Sequence, residues 1–336
     1  MAKKTKTIFG IFTESIGLYF SNFDKFIKYM TFPVLGQIAG LALIFGITYL
    51  YTANLPKLLA KYPNLDNLNT LIVLSVLITL PGLAIFMKAF WEYLVAYGAI
   101  NSMYDNMQKS GRVYDFEAHT ELIKRRSVSF VGLWLMLGIF TVIALLPPCW
   151  VLGGILAVYF VLVFQVFTYE PELKPAECFK KSLLLIKGHF ASTFLLICLI
   201  GSVTYIFIPQ IMGKLFDILL INKFVSNSLL PILNTLTPPS GINISMKEVS
   251  QIISQSLVLN IFVQYTLPMR SLLWAMWYKE LNHGIPKDTK EPAKPKKSAK
   301  RPSEKLMAES AKKYGRKKLD RNILKRASQK DDSDEF

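Results

Sequence analysis

Apolar residues run almost unbroken through six stretches of the chain, residues 30–51, 70–90, 127–146, 150–168, 190–212 and 251–278. Each is close to the ~20 residues needed to carry a helix across ~30 Å of hydrocarbon. Six transmembrane helices in an all-α polytopic bundle are therefore predicted. Between spans the pattern changes to an amphipathic one. Phe9, Phe12, Ile16, Phe20, Phe23 and Ile27 recur at spacings of three and four, which predicts a helix lying in the membrane interface or packed under the bundle. Residues 102–126 predict a second helical connector with a turn at Ser110 and Gly111. A third opens at Pro175, with Phe179, Leu183 and Ile186 on one face.

This order reads as three units, each an interfacial helix followed by a transmembrane hairpin. Ser15, Leu18, Ser21, Asn22 and Phe23 align with Ser182, Leu185, Gly188, His189 and Phe190, so a small residue plus Asn or His is expected to close the interfacial helix before the span begins. Every unit starts on the same side, which makes the repeats parallel. Pro147, Pro148 and Cys149 predict a tight turn between spans three and four. Residues 213–250 remain partly apolar but carry Pro231, Pro238, Pro239 and Gly241, and are expected to fold back onto the outer membrane face. Pro268 is expected to kink the sixth span.

Charge orients the bundle. Of 39 Lys and Arg, 32 fall before the first span, in alternate gaps, or after the sixth, while Lys57, Lys61, Lys214, Lys223 and Lys247 face the other way. By the positive-inside rule both termini are cytoplasmic and the protein is multi-pass. The amino terminus shows no cleavable secretory pattern, so the first span is read as its own insertion signal. Hydrophobic residues make up 52% of the 336 and the net charge is +16. The membrane domain is assigned to residues 1–282. Residues 283–336, rich in Lys, Pro, Ser and Ala, read as a largely disordered basic tail with an acidic end, suited to anionic lipid, an acidic protein or a ribosome. With Tyr314 as the only aromatic before its terminal Phe336, the tail is not a base-stacking surface, and no DNA binding is expected.

No constellation for catalysis stands out, and neither a cofactor nor a metal is expected: His119, His189 and His283 lack companions at ligand spacing, and Cys149, Cys178 and Cys198 are too far apart for a metal motif. The candidate functional residues are polar groups near or inside the membrane. Lys180, Lys181 and Lys187 are placed to meet lipid phosphates, and Arg270 is read with Trp274, Trp277 and Tyr278 as an interfacial anchor touching a headgroup. Lys88 and Glu92, one turn apart, form a pair near the end of span two. Asn260 and Gln264 are one turn apart in span six, with Gln37 and Gln165 as partners across the bundle. Gly36 and Gly40 form a small-xxx-small pattern that predicts packing within the chain, and Gly153 and Gly154 allow a close backbone approach.

Residues 160–201, with Pro175 and Ala176 leading into Lys180, Lys181 and Ser182 and then Leu185, Lys187 and Gly188, resemble the core of bacterial six-span proteins grouped with the membrane domain of glycerophosphoryl diester phosphodiesterases and the related YciC-like inner-membrane proteins. The likeness takes in the first amphipathic helix and span. It implies an inner-membrane helical bundle with no established activity, in which Glu170 or Glu172 is the acidic residue after the fourth span. No phosphodiesterase barrel is present in the sequence, so the enzymatic part is not implied. The expected function is non-enzymatic organisation or handling of membrane lipids, probed against two alternatives: a transporter or channel using the polar intramembrane residues, and an adaptor or insertion factor recruiting a partner through the tail.

Overall fold

The computed structural model describes residues 7–63, 67–234 and 245–284. Pro238, Pro239, Gly241 and the basic tail from 285 onward lie outside the described residues. Every element is helical: α1 Ile8–Ser21, α2 Phe23–Lys61, α3 Leu68–Ser110, α4 Phe116–Lys124, α5 Ser127–Ala144, α6 Trp150–Phe160, α7 Val163–Tyr169, α8 Pro175–Ile186, α9 Phe190–Gly201, α10 Ile208–Ile218, α11 Ile221–Leu233, α12 Met246–Tyr265 and α13 Leu267–Gly284. Among the described residues, six helical stretches are long and apolar enough to span a membrane: Phe23–Lys61, Leu68–Ser110, Ser127–Ala144, Pro147–Tyr169, Phe190–Ile218 and Met246–His283. The chain is a polytopic helical bundle of three hairpins.

Three joints make the repeat visible. Asn22 between α1 and α2 has φ −124° and ψ 24°, Arg126 between α4 and α5 has −110° and 25°, and His189 between α8 and α9 has −121° and 18°. Three residues before each joint lies a buried side chain, Tyr19, Ile123 and Ile186. Each joint residue also reaches across to the end of its own hairpin. Asn22 donates to the Gly111 carbonyl (3.3 Å) and accepts from the Val113 amide (2.9 Å). Arg126 donates to the Phe167 carbonyl (2.6 Å) and the Leu173 carbonyl (3.4 Å). The His189 ring meets the Trp277 ring edge-on at 6.2 Å. One polar residue thus turns the chain into the span and clasps the helix that returns.

The first hairpin is sealed by small residues. A Cβ on Gly36 would lie 2.7 Å from that of Ala89, one on Gly40 would lie 2.6 Å from the Phe86 amide nitrogen, and one on Gly82 would lie 2.9 Å from the Gly40 carbonyl. The glycine pattern therefore serves packing within the chain. At Gly153 the same crowding brings α6 against Ala144, whereas Gly154 faces open space.

The helices α2 and α3 have 39 and 43 residues, about 58 and 65 Å at 1.5 Å per residue, far more than a bilayer needs. Helix α3 divides by environment. Ile72, Val73, Val76, Leu77 and Leu80 are exposed, as lipid-facing side chains are, while Val95, Ala99, Ile100, Met103 and Met107 are buried. The second span accordingly continues past residue 90 to Ser110, where the expected turn is made by Gly111 with φ 71°. The protein core sits at the basic end of the bundle, where α3, α7 and α13 converge with α1 and α8 packed around them. Helix α1 takes the packed arrangement, and its Tyr19 hydroxyl donates to the Tyr265 carbonyl (3.1 Å).

Both helices of the third hairpin are interrupted. The rising one passes through a π-helical turn at Ser202–Phe207, and the returning one breaks between α12 and α13 at Thr266, just before Pro268. The connector corrects one expectation. After a left-handed residue at Leu220 (φ 58°), α11 runs antiparallel to α12: Ser254 donates to the Asn222 carbonyl (2.8 Å), and the Ser226 and Ser250 hydroxyls are 2.8 Å apart. Farther down, Gly213 approaches Leu259. Residues 208–233 thus extend the hairpin along α12 instead of folding back, because small hydroxyl residues on α12 give α11 a polar seam to pack against.

Candidate functional site

At the basic end, the three returning spans each carry a tyrosine followed by a charged residue: Tyr104 and Asp105, Tyr169 and Glu170, Tyr278 and Lys279. The Tyr169 and Tyr278 rings stack at 5.1 Å, and the Lys279 ammonium lies 5.1 Å from the centroids of both Tyr104 and Tyr169 while pairing with Asp105. Glu170 accepts from the Tyr278 hydroxyl (2.5 Å) and from Lys181 (2.5 Å). Below the rings, Gln165 donates to Asn101 (3.1 Å) and Tyr169 donates to the Asn101 carbonyl (2.5 Å). This is a structural hub with its charges matched. Lys181 is engaged in it through Glu170, whereas Lys180 and Lys187 of that trio are exposed.

The second constellation lies on the outer side of the first hairpin, where Tyr29, Phe32, Pro33, Lys88 and Glu92 line an open groove of about 260 Å³. Lys88 and Glu92 do not pair with each other. Glu92 accepts from Lys124 of α4 (2.7 Å), because α4 stands in the angle between α2 and α3, with Tyr29 and Thr120 hydroxyls 2.8 Å apart. The Lys88 ammonium lies 5.6 Å from the Phe32 ring centroid, and no carboxylate among the described residues pairs with it. The groove thus presents an uncompensated cation beside a carboxylate already shared with a lysine, framed by aromatic and proline surface.

Arg270 forms a third. Its guanidinium hydrogen-bonds the Tyr205 hydroxyl, lies 5.0 Å from that ring, donates to the Val263 carbonyl (3.0 Å) at the interrupted end of α12, and neighbours Tyr93. Trp274, Trp277 and Tyr278 are buried in the core, and Trp277 donates to Thr193 (3.0 Å). They form no lipid-facing belt around Arg270: Trp277 and Tyr278 point at α9 and α7.

Gln264 and Gln37 meet across the bundle at 3.5 Å, as expected of interhelical polar pairs, whereas Gln165 turns to Asn101 and Asn260 is exposed. The structure does not gather Asn260 and Gln264 with Lys88 and Glu92, whose partners are Phe32 and Lys124. All three cysteines are free thiols; burial pushes Cys178 up to about 11, against the pull of Arg126. Among the described residues no group of His, Cys, Asp and Glu has metal-binding geometry. The Glu92 to Lys124 pair and Tyr205 escaped sequence reasoning because their partners are distant in the chain. The tyrosine-plus-charge pair carried by each returning span was a readable signal for the hub.

No family model, curated protein or solved structure compared with the chain matches it.

Proposed function

We propose that this is a non-enzymatic integral protein of the inner membrane, with cytoplasmic termini, that handles phospholipids by gripping their headgroups at the cytoplasmic leaflet. The observation that carries this reading is the groove of Tyr29, Phe32, Pro33, Lys88 and Glu92. It sits where the exposed apolar surface of the first hairpin gives way to the buried basic end, the depth of a headgroup. Lys88 supplies the charge for a phosphate, and Tyr29 and Phe32 supply the amphipathic surface that favours the headgroup region. The exposed Lys180 and Lys187 add to the attraction of anionic lipid around the base, each worth about 1 kcal/mol near a charged surface.

The test is a lipid inventory of the protein in native membrane discs, comparing wild type with K88Q. The variant is expected to lose several-fold enrichment of phospholipids with exposed phosphate while retaining its helical content. An unchanged lipid profile around a folded K88Q protein rejects the reading.

A further inference from the structure

Arg270 carries a positive charge into the third hairpin, where its partners are the Tyr205 hydroxyl and the Val263 carbonyl. Trp277 pins the base of the third hairpin through Thr193, and Tyr205 lies 12 residues farther along the same helical stretch. At 1.5 Å per residue that is about 18 Å along the helix. A guanidinium keeps its proton under all physiological conditions. Its neighbours are the Tyr205 hydroxyl, the Val263 carbonyl and Tyr93, all neutral, and no carboxylate among the described residues pairs with it. Intramembrane ions are ordinarily paired.

Two donors there are also unused. Arg270 Nε and Trp134 Nε1 are buried without an acceptor, and the Tyr97 ring contacts Trp134 at 5.7 Å. Unbalanced positive charge together with idle donors calls for an anion rich in acceptor oxygens. The way in is lateral, because Tyr205, Ile206 and Phe207 are 56%, 49% and 58% exposed on an apolar face suited to acyl chains.

We propose that Arg270 seats the acidic head, phosphate or carboxylate, of a membrane amphiphile on the flank of the third hairpin. This deepens the lipid-handling reading and rests on it only in taking a lipid as the ligand. The full-length protein in neutral detergent is titrated with phosphatidic acid, oleate, diacylglycerol and inorganic phosphate, and bound ligand is counted by native mass spectrometry. At least one of the two acidic amphiphiles is expected to bind wild type, the preferred one identifying the head, and R270Q to lose about tenfold, the value of one charge-assisted contact. Diacylglycerol should not distinguish the proteins. A folded R270Q that binds both acids as wild type does, or inorganic phosphate binding in the same Arg270-dependent way, overturns the proposal. Should R270Q not fold, Y205F decides: it frees an Arg270 donor, so binding of the acid should tighten several-fold, and any other result overturns the proposal. K88Q separates the two ideas. If R270Q has no effect while K88Q loses headgroup enrichment, only the Arg270 site falls; if neither has an effect, both fall.

Discussion

His119 shows how a single residue can make the basic end sensitive to pH. The Asn106 side-chain amide donates to Nε2 (2.7 Å), which requires that nitrogen to be unprotonated, and leaves Nδ1–H to donate to Ser102 (2.7 Å). Burial lowers its pKa from the ordinary 6.5. The unfolded chain therefore takes up the proton first as pH falls, so stability is full above about 6.5 and declines below it until the folded pKa is passed. Thermal melts from about pH 8 to about pH 5 should show this loss in wild type and not in H119Q; an identical slope in both would place its origin elsewhere. Asn22 makes a comparable point without titration. Its amide satisfies the Gly111 carbonyl and the Val113 amide at once, so N22A should cost about 1–3 kcal/mol, read as a lowered melting temperature.

Among the elements, the seam between α2 and α3 is held tight by three glycines, Gly36, Gly40 and Gly82. G40A must push the Phe86 backbone away, since the added carbon would lie 2.6 Å from its amide nitrogen. It should destabilise the hairpin by about 1–3 kcal/mol, whereas G138A, which meets nothing within 4 Å, should be neutral or gain about 0.5–1 kcal/mol from helix propensity. Equal unfolding behaviour of the two variants would refute the seam. That seam was legible in the sequence, as were the six spans and the kink at Pro268, since each rests on composition or a local steric rule. The ends of the long helices were not. Residues 91–110 of α3 mix Tyr, Asn and Ser with apolar residues because they are buried by protein instead of lipid, and hydropathy falls exactly as it would in a connector. Of the candidate sites, Lys88, Glu92 and Arg270 were found by their charge within apolar runs. Their partners, Lys124 and Tyr205, were hidden because proximity there depends on how α4 and the π-helical turn pack.

Across the whole molecule, cohesion is concentrated at one end. The hub joins all three hairpins through Tyr104, Tyr169 and Tyr278, and Glu170 is its shared acceptor. E170Q should weaken it by about 1–2 kcal/mol, allowing for the partial exposure of the Lys181 pair, and should loosen α8 and α13 together. Hydrogen exchange is expected to rise in both helices; a rise confined to α8 would show that Tyr278 does not depend on Glu170.

Order of synthesis gives the three joints a further meaning. Asn22, Arg126 and His189 each leave the ribosome before the hairpin they clasp, and their partners, Gly111 and Val113, Phe167 and Leu173, and Trp277, are the last part of that same hairpin to emerge. Each repeat thus carries its own latch and closes on itself without waiting for anything downstream. The nascent chain can be delivered to the bilayer as three finished hairpins in turn, with the contacts between hairpins, the tyrosines at their bases among them, left to be matched.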